Sequence, residues 1–103
     1  MLKVNPNPTF HAPVEIPTPD GPVKIKCEFK HMDKEQYQEF IKAESTSKRS
    51  DEEAIMDIMV SWSGVDKEFS KDALRDVCKN YHKAATAIVE AFINTLTQAA
   101  AKN

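Results

Sequence analysis

Proline is confined to one end of this chain. All 6 prolines lie within the first 22 of 103 residues, and the segment after Lys30 contains none. Proline lacks a backbone N–H and disrupts helix interiors, so the first third is expected to be extended, whereas the remainder is able to form helices. The length suits one domain with a modest core. We therefore predict a single α+β domain in which an N-terminal β-hairpin packs on three to four helices.

The N-terminal third contains two runs that alternate between apolar and polar residues, as half-buried strands do. The apolar positions are Phe10, Ala12, Val14 and Ile16 in the first run, and Val23, Ile25, Cys27 and Phe29 in the second. The segment Pro19-Asp20-Gly21 between them has the composition of a turn. This pattern predicts a hairpin over residues 9–30, after a flexible arm over residues 1–8. Pro13 cannot donate a ladder hydrogen bond, so the first strand is expected at a sheet edge.

Helix starts are marked by side chains that can cap a backbone N–H. Asp33 with Gln36, and Ser50 with Glu53, have the spacing of a capping box, and Ser70 is a third candidate N-cap. We expect a helical part over residues 33–99 that completes a domain over residues 9–99, followed by a frayed tail over residues 100–103. The four predicted helices begin at Asp33, Ser50, Ser70, and Tyr81 or His82; the second ends at Trp62 and the fourth near Ala99.

The second and fourth predicted helices carry more apolar residues than one narrow stripe needs. The stripe of the second helix is Ile55, Ile58, Met59 and Trp62, and the surplus residues of the two helices are Met56, Val60, Val89 and Ile93. Two possibilities stay open: the helices are buried on two sides, or they dock a partner helix, for which flexible and aliphatic side chains are suited. The same two possibilities apply to Trp62, which is either a core residue or an interface residue.

Charge and hydropathy argue against two classes of partner. The net charge of −2 provides no general attraction to nucleic acid. Lys24, Lys26 and Lys30 lie along the wet face of the second strand, but Glu28 interrupts them and no aromatic residue alternates with them, so they are better explained as residues that keep an edge soluble. No apolar run approaches the roughly 20 residues that a membrane span needs, and the N-terminus has no apolar signal region.

The residues that usually carry chemistry are placed like structural residues. Most carboxylates fall at predicted helix starts, where the helix dipole accounts for them. The 3 histidines are scattered, and Cys27 and Cys78 are far apart, without the paired spacing of a zinc site. We expect both thiols to be reduced and buried, with no metal, no cofactor and no catalytic residue. The chain is therefore predicted not to be an enzyme.

Several motifs follow one another in a recognisable order. The turn Ser61-Trp62-Ser63-Gly64-Val65-Asp66 is followed by the helix start Phe69-Ser70, the break Asn80-Tyr81 and a long last helix; the chain opens with Asn5-Pro6-Asn7-Pro8-Thr9-Phe10. In this order the chain resembles the tail assembly chaperones of long-tailed bacteriophages over nearly its whole length. It departs from them at Ser61, where the family is expected to have glycine, and at His82, where proline is common.

The resemblance implies a non-enzymatic chaperone that works in the host cytoplasm and is absent from the mature virion. Its expected partners are the tape measure protein, which it coats and keeps soluble, and the tail tube protein, which it recruits through a longer, frameshifted form. It is also expected to form a homo-oligomer. Partner contacts are predicted at Met56, Val60, Trp62, Val89, Phe92 and Ile93, and self-association at Phe10, Ala12, Val14 and Ile16.

Two further functions are compatible with the same sequence. A structural phage protein of the head–tail connection or tail tube, retained in the virion, is the main alternative, and a small regulatory or nucleic-acid-binding protein is a third. The string Ala101-Lys102-Asn103 is one that a slippery heptamer would encode in the frame needed for ribosomal frameshifting. The same string is also what a frayed polar tail would look like.

Overall fold

The predicted hairpin forms and belongs to a three-stranded sheet. The computed structural model describes residues 1–46 and 49–98, so the predicted tail at 100–103 lies outside the described residues. The elements in chain order are β1 (Thr9–Ile16), β2 (Val23–Lys30), α1 (Lys34–Thr46), α2 (Asp51–Ile58), β3 (Met59–Ser63), α3 (Lys71–Asn80) and α4 (Ala84–Thr97). The α+β prediction, with an N-terminal hairpin in one small domain, is confirmed.

The hairpin pairs β1 and β2 in antiparallel register, with Phe10 opposite Phe29. Gly21 closes the turn with φ of +108°, a conformation that favours glycine, and its N–H donates to the Thr18 carbonyl at 3.0 Å. The sheet order is β1-β2-β3, so β1 is an edge strand, as Pro13 predicted.

A third strand replaces the predicted end of the second helix. Residues Met59–Ser63 are strand β3, which pairs antiparallel with β2 so that Trp62 lies opposite Cys27. The helical spacing of Met59 and Trp62 was therefore misleading, and Met56 and Val60 do not share a helix. The difference is explained by long-range pairing: the second edge of β2 is open to a partner strand, and Met59–Ser63 pairs with it. Val60 is the extra residue of a bulge, because Met59 pairs with Phe29 and Ser61 with Glu28.

The predicted caps form. Ser50 and Glu53 make both hydrogen bonds of a capping box, at 3.3 and 3.0 Å. Asp33 and Gln36 make the same reciprocal pair ahead of α1, at 2.8 and 2.9 Å. Ser70 accepts from the Ala73 N–H at 3.0 Å. These side chains satisfy backbone donors that have no partner within the helix, which is why the start of each of these helices could be predicted.

The fourth helix begins later than predicted. It starts at Ala84, because Tyr81 is the C-cap of α3 and donates its N–H to the Val77 carbonyl at 2.9 Å. Residues between Tyr81 and Ala84 form a turn in which the Ala84 N–H donates to the Tyr81 carbonyl at 3.0 Å. Lys83 at the N-cap makes no side-chain hydrogen bond there, so the sequence carried no capping signal for this start.

Phe92 of α4 lies at the centre of the core. Its ring is 5.4 Å from that of Phe29, 5.6 Å from that of Phe40 and 6.0 Å from that of Phe10, measured between centroids. These are contact distances for aromatic pairs. Phe92 therefore joins α4 to both strands of the hairpin and to α1. The other large, fully buried side chains are Phe29, Ile55, Ile58, Leu74, Ile88, Val14 and Cys27.

Helix α1 is attached to this core by a single residue. Phe40 is the only buried residue among its 13. An ion-pair bridge adds to this contact, since Arg49 bonds both Glu44 of α1, at 2.9 Å, and Asp57 of α2. A helix with so little buried apolar surface is expected to open locally before the rest of the domain.

One carboxylate connects the three strands on the open face of the sheet. Glu28 of β2 accepts a hydrogen bond from the Thr9 hydroxyl of β1 at 2.7 Å and another from the Ser61 hydroxyl of β3 at 2.9 Å. His11 Nε2 lies 3.9 Å from the same carboxylate. The Thr9 and Ser61 hydrogen bonds favour the charged form and lower the pKa of Glu28.

We predict that Phe92→Ala lowers the free energy of unfolding by about 3–5 kcal/mol, because it removes a fully buried ring from a cluster that cannot fully collapse. Chemical denaturation would measure the change. Val60→Ala, at a side chain that is 43% exposed, is the control and should change stability by less than about 0.5 kcal/mol. Equal effects of the two substitutions would contradict this core assignment.

We also predict an acid-side loss of stability that depends on Glu28. Its pKa is lowered in the folded state from an ordinary value of 4.5, so its contribution is complete above that value and disappears as the pH falls through the folded pKa. Wild type should therefore lose more stability than Glu28→Gln between about pH 5 and pH 3. Denaturant midpoints across this range would test it; parallel curves for the two proteins would show that Glu28 contributes nothing.

Candidate partner-binding groove

An apolar groove lies where the hairpin turn, the end of β3 and the end of α3 meet. It has a volume of about 320 Å³, and we call it the Trp62 groove. It is lined by Ile16, Thr18, Val23, Ile25, Trp62, Gly64, Val65, Asp66, Val77 and Tyr81. Its apolar side chains come from β1, β2, β3, α3 and the turn after β3, so no single stretch of sequence encodes it.

Trp62 is held in a fixed position in this groove. Its indole Nε1–H donates to the Lys67 carbonyl at 2.7 Å, and its ring meets that of Phe69 edge-on at a centroid distance of 5.2 Å. The intervening turn passes close to β2: Gly64 has φ of +88°, and a Cβ there would lie 3.4 Å from the Ile25 Cα. The tight glycine turn thus brings Val65 beside Trp62.

The mouth of the groove exposes large apolar side chains. Val23 is 49% exposed and Tyr81 is 37% exposed, while Trp62 and Val65 are half-buried. A concave surface of apolar and aromatic side chains is the usual form of a binding site. Exposed apolar residues that are grouped together indicate an interaction site, whereas single exposed apolar residues are normal on a protein surface.

A second concavity continues the groove along the hairpin turn. It shares Thr18, Val23 and Tyr81 with the first and adds Pro19, Asp20, Gly21, Pro22 and Asn80. The charged residues that line the two sections are Asp66 in the first and Asp20 in the second. Among the residues that the structure describes, neither carboxylate forms an ion pair.

The residues predicted to contact a partner are not all at the surface. Trp62 lines the groove and Val60 is exposed on the bulge of β3, whereas Met56, Val89 and Ile93 are half-buried and pack against the core. Phe92 is fully buried among other aromatic rings. Phe92 is therefore a core residue in this structure, and its prediction as a contact residue is corrected: the fourth helix faces the sheet with the side that carries it.

The residues predicted for self-association are mostly covered by the helices. Ala12, Val14 and Ile16 are buried and Phe10 is half-buried. What β1 offers to another chain is its free backbone edge. Pro13 interrupts that edge, because a proline paired within a sheet directs its ring nitrogen away from the neighbouring strand and supplies no donor there.

Four apolar residues that line the groove and are not fully buried were not predicted as contact residues: Val23, Val65, Val77 and Tyr81. Val23 belongs to the second predicted strand, and Tyr81 marks the predicted start of the fourth helix. Val23 and Tyr81 lie at the ends of their elements and are exposed, whereas Val77 is half-buried against the core. The only Trp lies two residues before a glycine, and this was the one signal of the region in the sequence.

Within residues 1–46 and 49–98, the residue types that usually bind metals are not grouped, and the two thiols have raised pKa values. No cluster there combines three His, Cys, Asp or Glu residues in a way that could hold a metal ion. Burial raises the pKa of Cys27 to about 12 and is the main cause that raises that of Cys78 to about 11, so neither thiol is a nucleophile near neutral pH. No helix in these ranges is long and apolar enough to span a membrane.

A comparison with protein-family models decides the family. The model described as phage tail assembly chaperone matches residues 1–103, which is the whole chain. The chain belongs to the phage tail assembly chaperone family. The resemblance drawn from the Trp-Gly turn and the order of helices is thus confirmed. Searches of curated proteins and of solved structures found no match.

Proposed function

We propose that this tail assembly chaperone binds apolar segments of the tape measure protein in the Trp62 groove and keeps that protein soluble without catalysing a reaction. The observation that carries the proposal is the exposed apolar mouth formed by Val23 and Tyr81 beside the fixed Trp62. We place its action in the host cytoplasm and expect it to be absent from the mature virion.

The proposed client, the tape measure protein, requires a chaperone that covers its exposed apolar residues. A long helix with exposed apolar residues aggregates unless they are covered, and a groove of about 320 Å³ covers only a few side chains at a time. Single-site affinity is therefore expected to be modest. Many copies along one tape measure protein would gain strength by avidity, which is also the reason to propose a homo-oligomer that assembles through the free edge of β1.

The remaining predicted contact residues that are accessible lie outside the Trp62 groove. Val60 is exposed, and Met56, Val89 and Ile93 show part of their side chains. We propose that Met56, Val89 and Ile93 contribute after the groove has engaged, since a half-buried aliphatic side chain offers less area than the residues at the groove mouth, and that the exposed Val60 adds a contact of its own.

Recruitment of the tail tube protein is assigned to a longer, frameshifted form. The residues that suggested a slippery site, Ala101-Lys102-Asn103, lie outside the described residues. The nucleotide sequence of the gene tests this directly: a slippery heptamer in frame supports the proposal, and other codons for the same residues remove it.

We predict that Val23→Asp and Tyr81→Asp each reduce co-purification with the tape measure protein by at least about tenfold, because a carboxylate in the mouth must be desolvated when an apolar segment binds. The measurement is pulldown of soluble complex after co-expression of the two proteins. Far-UV circular dichroism and a denaturation midpoint for each variant would establish that the fold is retained.

Ile41→Asp is the matched control. Ile41 is 38% exposed, close to the value for Tyr81, but it lies on α1 outside the groove. It should leave co-purification unchanged. A folded wild-type protein that fails to solubilise the tape measure protein would overturn the proposed function, and detection of the chain in purified virions would favour a structural role.

A further inference from the structure

We propose that the Trp62 groove selects apolar peptide segments that carry lysine or arginine beside their apolar residues. The inference rests on the proposed function, since it names the chemistry of the segment that the same groove receives. It comes from the charges that line the groove, which are all of one sign.

Each of the two adjoining sections of the groove contains one carboxylate and no basic side chain. Asp66 lines the section with Trp62, and Asp20 lines the section along the hairpin turn. Both side chains are exposed and form no ion pair within the described part of the chain. Each is therefore available to a cation on a bound segment, with the apolar surface of Val23 and Tyr81 between them.

The nearby lysines do not line either section, including Lys67, which follows Asp66 and accepts from Trp62 through its backbone carbonyl. Lys24 and Lys26 alternate with the buried Ile25 and Cys27, so they stand on the open face of the sheet, away from the groove. Lys79 is in the last turn of α3 but does not line either section. The C-terminal end of α3, which contributes Val77 and Tyr81, adds a partial negative charge from its last carbonyl groups.

The consequence is selection by charge in addition to hydrophobicity. Apolar side chains of the segment fill the groove, and a flanking cation gains from a carboxylate at the rim, whereas a flanking carboxylate is repelled. Exposed pairs of this kind contribute modestly and are screened by salt. The preference should therefore be a several-fold effect at low ionic strength that shrinks as salt is added.

The test uses Trp62 as its own probe, because it is the only tryptophan of the chain. Three Trp-free helical peptides share one apolar centre and differ only in flanking residues: two lysines, two glutamines or two glutamates. Titration into the full-length protein, followed by tryptophan fluorescence at low salt, gives three affinities. We expect the lysine-flanked peptide to bind about three- to tenfold more tightly than the glutamate-flanked one.

The double variant Asp20→Asn with Asp66→Asn should bring this ratio close to one while the glutamine-flanked peptide binds as before. The control Glu35→Gln with Glu90→Gln changes the net charge equally at exposed positions outside the groove, and should preserve the ratio. Because these carboxylates are exposed, none of the four substitutions is expected to prevent folding.

The outcomes separate this inference from the proposed function. Equal binding of the three peptides, or a lysine preference that survives in the double Asn variant, overturns the charge selection even if the tape measure protein still co-purifies. Failure of all three peptides to bind overturns it as well. If the wild-type protein shows the lysine preference but does not solubilise the tape measure protein, the charge selection stands and the proposed function is overturned.

Discussion

The pairing of β3 with β2 is the interaction on which the site depends. It places Trp62 opposite Cys27 and carries the chain back across the sheet to the end where the hairpin turn lies. The glycine turn that follows then passes close to Ile25 and brings Val65 beside Trp62. Without this strand, Trp62 would lie at the end of a helix and would not line the groove with Val23 and Tyr81. The pairing of β3 with β2 therefore forms both the sheet and the groove.

Which apolar residues are buried and which are exposed depends on where the strands and helices end. Phe92 contacts aromatic rings from both hairpin strands and α1, and the inward-facing residues in the middle of β1 and β2 are buried. The start of β2 and the end of α3 lie around the groove, where Val23 and Tyr81 stay exposed. Val23 has the periodicity of a core position and is nevertheless accessible, because it lies at the end of its strand.

Local signals in the sequence predicted the hairpin, its edge strand and the three capped helix starts, since each depends on neighbouring residues alone. They failed where long-range pairing decided the outcome. Residues Met59–Ser63 continue a helical apolar pattern, and only the unpaired edge of β2, distant in sequence, turns them into a strand. The burial of single apolar residues depends on long-range packing in the same way: Phe92 is fully buried and Tyr81 is 37% exposed, although both are aromatic residues of the predicted fourth helix.

The most direct test of the Trp62 groove as the client site is to map where the tape measure protein touches this chain. A photo-crosslinking phenylalanine analogue would replace Tyr81 at the groove mouth, Val60 on the bulge of β3, or Ile41 on α1, three positions of similar exposure. After irradiation of the co-expressed complex, mass spectrometry would identify the products. We expect strong cross-links to an apolar segment from position 81, weaker ones from position 60 and none from position 41. Cross-linking from position 41 with none from position 81 would contradict the assignment of the groove.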